Sequence, residues 1–298
     1  MQPIAVTGST GKLGGRIAAR LAAAGVPQRL LVRDPSRAPD LPQTEVMQAS
    51  YGDFEAVRAG LEGVATALLI SASESTDRVA QHRTFIDAAA AAGVEHVVYV
   101  SFYGASATAM FTLSWDHAAT EEHLRDSGLA FTFLRDNFYA DFMPDLAGED
   151  GVIAGPAGDG RVAVVAQDDI ADSAVAVLTD PVAHRERLYT LTGPESLTLT
   201  EIAAILTDAL GRPIRYEPQT VEQAYASRAS FGAPDWQVDA WVSTYTAIAA
   251  GEVARVSPDV QLLIQRPPRS LAEVIAGAPA SGHDDAVGAS PEGHPPRW

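Results

Sequence analysis

The chain of 298 residues contains no cysteine. That excludes disulfides, thiolate catalysis and cysteine-ligated metals. Lysine occurs once, at Lys12, so no tyrosine has a lysine beside it to lower its pKa for proton donation. The seven histidines are scattered, with no H-x-x-x-H or H-E-x-x-H spacing, and no metal is expected. No run of 18 uncharged apolar residues appears, so no membrane span is expected. The first apolar run is short and flows into a glycine-rich turn, unlike a secretory signal. The expected compartment is therefore the cytoplasm. Basic residues are few: 21 Lys and Arg stand against 38 Asp and Glu, a formal charge of -17. Nucleic-acid binding, which wants a basic stripe, is not expected. The length leaves room for one large core or two modest ones.

What is present begins at once. Ile4-Ala5-Val6-Thr7 is a short apolar run, and Lys12 to Ala24 carries Leu13, Ile17 and Leu21 on one helical face. Between them lie Gly8, Ser9, Thr10 and Gly11, with Gly14 just inside the helix. Strand, glycine turn and helix N-terminus form a site for a pyrophosphate. The spacing is G-x-x-G-x-x-G, neither the usual G-x-G-x-x-G nor a P-loop. Gly8, Ser9, Thr10, Gly11, Lys12 and Leu13 are therefore predicted to bind a dinucleotide. The next apolar run, Gln28 to Val32, ends in Arg33. A guanidinium there suits a 2′-phosphate, hence NADP(H), whereas an NAD site wants a carboxylate. Asp34, one residue on, offers that competing carboxylate.

Strand and helix patterns alternate through the first 135 residues, with further strands at 45–49, 65–71, 94–101 and 130–135 and helices at 54–59, 79–92 and 114–127. This predicts an α/β fold: a Rossmann-type doubly wound parallel sheet. Residues 1–179 are read as the nucleotide-binding domain, 180–276 as a smaller, mostly helical substrate or lid region, and 277–298 as a disordered tail. Residues 148–160, with five glycines and a proline, read as a loop or irregular hairpin.

Ligands of such a sheet lie beyond the carboxyl ends of its strands. That rule nominates Ser71 and Ser73 beside ribose and pyrophosphate, and Ser101, Phe102 and Tyr103 beside the nicotinamide. It also nominates Asn137, Phe138 and Tyr139 as a pocket wall for flat rings, with Trp236 and Trp241 from the lid. His117, near the start of the 114–127 helix, is the candidate proton donor. Glu121, one turn on, is placed to orient it.

Thr7–Gly14, Leu31–Pro35, Ala118–Gly128, Leu134–Tyr139 and Arg266–Leu271 together resemble the NmrA-like, atypical branch of the short-chain dehydrogenase/reductases, over about residues 2–276. Within it the pattern is nearest to type 2 NAD(P)H:quinone oxidoreductases and triphenylmethane dye reductases. The isoflavone-reductase-like members carry a catalytic lysine whose position falls on His117; the quinone reductases resemble this chain in having histidine there. Where the branch often reads Leu-Arg-Asn-Gly-Trp-Tyr, this chain has Leu134-Arg135-Asp136-Asn137-Phe138-Tyr139, which puts a carboxylate and a smaller ring at the pocket wall. The resemblance implies an NADPH-dependent hydride transfer to a quinone or similar planar aromatic molecule, by a monomer or homodimer. It also admits a non-catalytic, redox-sensing regulator and a tailoring oxidoreductase or oxygenase for an aromatic polyketide.

Overall fold

The computed structural model describes residues 2–277. Its strands are β1 (Ile4–Thr7), β2 (Gln28–Val32), β3 (Thr44–Gln48), β4 (Thr66–Ile70), β5 (His96–Phe102), β6 (Ala130–Asp136), β7 (Val152–Gly155), β8 (Arg161–Val162), β9 (Arg187–Leu191), β10 (Leu197–Thr198) and β11 (Arg215–Pro218). Its α-helices are α1 (Lys12–Ala23), α2 (Phe54–Leu61), α3 (Arg78–Ala91), α4 (Ser114–Asp126), α5 (Gln167–Thr179), α6 (Leu199–Leu210), α7 (Val221–Arg228), α8 (Asp235–Ala249), α9 (Asp259–Ile264) and α10 (Leu271–Gly277).

Seven strands form one parallel sheet in the order β3-β2-β1-β4-β5-β6-β9. The predicted Rossmann-type sheet is what the chain builds. Both faces are covered, as parallel strands require. On one face Leu13, Ile17 and Leu21 of α1 and Ile170, Ala174 and Val177 of α5 pack on Val6, Leu30 and Leu68. On the other, Val57, Leu61, Phe85, Ile86 and Leu124 of α2, α3 and α4 pack on Ala5, Leu69, Tyr99 and Phe133. The strand order reverses between β1 and β4, and this switch point opens the crevice where a ligand sits.

A third apolar cluster lies beyond the carboxyl edge, built from Phe102, Phe111, Phe138, Ile153, Ile202, Leu206, Tyr245 and Ile248 among others. Its composition departs from a cut at residue 179. β9 joins the main sheet, while β7 and β8, from before that point, pair with β11 and β10 from after it. The 148–160 stretch is likewise no hairpin, because β7 pairs in parallel with the distant β11. The predicted tail, apart from Gly277 at the end of α10, lies outside the described residues. Among the described residues no helix is long and apolar enough to cross a membrane.

Candidate active site

The first turn after β1 makes a groove of about 560 Å³ with the ends of β2 and β4. Gly8, Thr10, Gly11, Lys12 and Leu13 line it, with Arg33, Tyr51, Ser71, Ser73, Tyr139 and Gln167. Gly8 takes φ +65°, and Gly14 lies so close beneath the turn that a Cβ there would meet the Gly8 carbonyl oxygen at 2.2 Å. Glycine is thus required at both, one for the bend and one for the approach of α1. No side chain caps α1, and no acidic residue stands in its first turn. An uncapped helix N-terminus free of carboxylates, with Lys12 beside it, fits an anionic diphosphate. Lys12 Nζ rests 5.1 Å over the Phe142 ring, at the groove wall. Ser9 differs from its neighbours: it is buried behind the turn and its Oγ has no hydrogen-bond partner among the described residues.

Arg33 is exposed at the mouth of this groove. Asp34 does not compete with it for the ribose. Its Oδ1 accepts from the Ser36 amide at 3.0 Å and the Ser36 hydroxyl at 2.6 Å, closing a short turn. The donor set at this end is therefore cationic and suits a 2′-phosphate.

A second cavity, about 260 Å³, opens off the same edge. It shares Ile70, Ser71, Ala72, Ser73 and Tyr139 with the groove. Phe102, Phe111 and Phe138 form its apolar wall, with ring centroids 4.7–5.2 Å apart. Arg78, His117, Asp136 and Asn137 supply its polar side. Asn137 is spent on its surroundings: Nδ2 donates to the Val253 carbonyl at 2.9 Å and Oδ1 accepts from the Phe138 amide at 2.8 Å.

His117 lies in this cavity, but not in the company expected. Arg78 Nη2 donates to its Nε2 at 3.2 Å, and its Nδ1 faces the Tyr99 hydroxyl at 3.0 Å. A guanidinium only donates, so Nε2 is bare and the ring proton sits on Nδ1. Burial, then Arg78, holds the imidazole well below its usual pKa. It is neutral at pH 7 and has no proton to give at Nε2. Glu121 does not orient it. That carboxylate is fully buried and binds Ser101, Arg125 and Arg135 instead, the last through both oxygens at 2.8 and 2.7 Å. The spacing of four placed both residues on one face of α4, yet β6 offered Glu121 a fork of donors.

Other expectations are redrawn as well. Ser101 is buried and gives its hydroxyl proton to Glu121 at 2.6 Å, away from both cavities. Phe102 lines the second cavity rather than the nucleotide groove. Tyr103 lines a separate cleft with Glu252 and Val253. Of the lid tryptophans, Trp236 borders an outer cleft and Trp241 packs edge-on against Phe231. Neither roofs the cavity; Phe111 and Leu113, from the loop before α4, do so.

The sequence reading missed Arg78 and His82. Arg78 is 6% exposed, and the Asp116 carboxylate lies 3.8 Å from its guanidinium. It brings a positive charge to the cavity wall. His82 Nε2 accepts from the Ala72 amide at 2.8 Å and its Nδ1 reaches Thr120 at 2.9 Å. Desolvation pushes its pKa down to about 3, so it is a neutral peg for the Ser71–Ser73 loop between the cavities.

Residues 8–181 match the NAD(P)H-binding family. Quinone oxidoreductase 2 of Escherichia coli is 35% identical over 280 residues, 92% of this chain and 97% of that protein. The crystal structure of the NADPH-dependent quinone oxidoreductase from that organism, complexed with NADPH, superposes with a TM-score of 0.84, covering 92% of this chain and 98% of that one. An NAD(P)H azoreductase of Xenophilus azovorans is 32% identical over 96% of this chain and all of its own length. The triphenylmethane reductase of Citrobacter sp., complexed with NADP(H), is 31% identical with a TM-score of 0.81, over 91% of this chain and 98% of its own.

Proposed function

The chain belongs to the NAD(P)H-binding family, as an NAD(P)H-dependent oxidoreductase related to quinone oxidoreductase and azoreductase, and on that premise we propose that it transfers a hydride from NADPH to a quinone or a similar conjugated aromatic acceptor. The observation that carries this is the junction of the two cavities. A groove suited to a dinucleotide ends where an aromatic-walled cavity begins, with Ile70–Ser73 and Tyr139 as the common wall.

NADPH, when bound, supplies the hydride. The residues of this chain do the rest: bind, orient and exclude water. Amides of Gly8 to Leu13 hold the diphosphate, and Arg33 selects the 2′-phosphate. Ser71 and Ser73 lie along the passage from groove to cavity. Phe102, Phe111 and Phe138 pack a flat ring. A volume of about 260 Å³ is below that of pockets for drug-sized ligands, so the acceptor is a small planar ring system. Arg78 faces the negative charge that gathers on the acceptor as it is reduced, in a site dry enough for that charge to count. His117 is a positioning residue: its bare Nε2 fixes the guanidinium.

An NADPH-oxidation screen over quinones, azo dyes, triphenylmethane dyes, enones and isolated aromatic ketones tests the reading. Quinones are expected to turn over fastest and isolated ketones not at all. Tight NADPH binding with no acceptor reduced contradicts it and favours a sensing role. Oxygen uptake with a polyphenol also contradicts it and favours a tailoring oxygenase.

A further inference from the structure

We propose that Asp136, the last residue of β6, is the catalytic proton donor to the reduced acceptor. The proposal rests on the hydride-transfer reading above. Asp136 lines the acceptor cavity and is 3% exposed. Its Oδ2 accepts from the Tyr139 hydroxyl at 2.8 Å, and Tyr139 lines both cavities. The pair therefore stands at the wall where hydride donor and acceptor would meet.

Four other polar groups of the cavity are already committed. His117 holds its one proton on Nδ1, toward Tyr99. Ser71 gives its proton to the Val100 carbonyl at 2.8 Å. Both ends of the Asn137 amide are bound. Arg78 stabilises negative charge but does not release a proton at working pH. The titratable and charged groups around Asp136 are Tyr139, Arg78 from α3, His117 from α4, and Glu74 from the loop before α3. Burial raises the Asp136 carboxyl to about 8, outweighing the Tyr139 hydrogen bond and the Arg78 charge that favour the anion. At neutral pH it is an acid with a proton to give, in the manner of a buried general acid.

The step balances simply. The acceptor gains one hydride, and an electron pair moves onto its carbonyl oxygen. That oxygen forms an O–H bond as the Asp136 O–H bond breaks. The carboxylate left behind is met by the Tyr139 hydroxyl and the Arg78 charge, and recovers its proton from water. The sum is one hydride from NADPH and one proton from solvent.

Two acceptors separate a proton donor from a structural residue. Reduction of 1,4-naphthoquinone needs a proton. The N-methylacridinium cation, a flat fused-ring acceptor, becomes neutral on taking hydride at the ring carbon opposite its nitrogen and needs none. Asp136→Asn keeps size and can still accept from Tyr139. It should lower kcat for naphthoquinone by about 10²-fold and lower that for N-methylacridinium far less. The wild-type naphthoquinone kcat should fall as pH passes about 8, and the step should vanish in D136N. Infrared spectra of the protein without cofactor or acceptor should show a protonated carboxyl that titrates in that range and is missing from D136N. Equal losses on both acceptors, or no such carboxyl in the wild type, overturn the assignment. A wild type that reduces neither acceptor overturns the hydride-transfer reading and this proposal with it. That is distinct from failure of Asp136 alone, in which the wild type reduces both acceptors and D136N matches it.

Discussion

Arg33 follows β2 with its guanidinium in solvent and no carboxylate paired to it among the described residues, since Asp34 is held by Ser36. R33A should weaken NADPH by about 1.5 kcal/mol, the low end for a charged hydrogen bond because the site is exposed. That is roughly tenfold in Kd, with NADH unaffected. Calorimetric titration of both cofactors checks it; equal losses for both sink the 2′-phosphate role. Arg78 carries a larger effect. Without it, charge on the reduced acceptor loses its only cation in the cavity wall among the described residues, and R78Q should cut kcat by about 10²–10³-fold. The same change should raise the His117 pKa, though not to its ordinary 6.5, because burial is the larger cause and remains. Ring NMR titration of His117 reads this directly; no movement would show that the Arg78 contact is not what the geometry implies. These residues also mark how legible the site was. Gly8 to Leu13, Arg33, Phe138 and Tyr139 were visible because strand ends and glycine turns announce themselves. Arg78, His82, Tyr99 and Phe111 were not. Each sits in unremarkable local sequence and gains its role from partners on other elements, as Arg78 does from His117, 39 residues away. Glu121 misled because helical spacing gives a face but not the competing donors of β6.

At the scale of elements, α1 and its turn are the most constrained pair. A Cβ on Gly14 would meet Gly8 oxygen, Gly8 carbon and Ser9 nitrogen at 2.2, 2.5 and 2.9 Å, all backbone. G14A must therefore push α1 off the turn, at a cost of about 1–3 kcal/mol and with loss of NADPH affinity. G11A, whose nearest contact would be 3.4 Å, should leave stability nearly unchanged. Denaturant melts of the two variants decide; equal stability would mean that the turn yields. α1 is also fastened to α5 by Arg20, bound to Asp168 and Asp172 at 2.6 Å each, while Arg266 joins Asp169 and Asp172. The central elements were readable from periodicity, since β1, β2, β4 and β5 are buried almost throughout and α1 and α2 carry one apolar face. The outer layer was not. α9 is six residues long and buries only Val260. β7 finds its partner β11 some sixty residues later, a pairing that no local pattern encodes.

Across the whole molecule, the buried titrating groups pull stability in two directions. His82, at about 3, His96, at about 4, and His117 are all held neutral, chiefly by burial. The unfolded chain binds protons at these sites below about pH 6.5 and the folded chain does not, so stability falls as pH drops from about 6.5 toward 4. Asp136 acts oppositely. Its folded pKa of about 8 exceeds the ordinary 3.8, so its contribution is complete below about 4 and is lost as pH rises through about 8. Three histidines outweigh one carboxyl in the acid window, and of these four groups only Asp136 acts between about pH 6.5 and 8. Stability should therefore peak near pH 6.5, and D136N should flatten the alkaline decline. Chemical denaturation across that range tests both; an identical alkaline slope in D136N would contradict the buried-acid account. The central claim, hydride transfer where groove and cavity meet, is tested most directly by a single-turnover experiment. Protein loaded with NADPH bearing deuterium at the transferable position of nicotinamide C4 is mixed with 1,4-naphthoquinone. One equivalent of hydroquinone is expected per NADPH consumed, with a primary isotope effect on its appearance. NADPH that stays bound and unoxidised, with quinone, dye and azo acceptors alike, would contradict it.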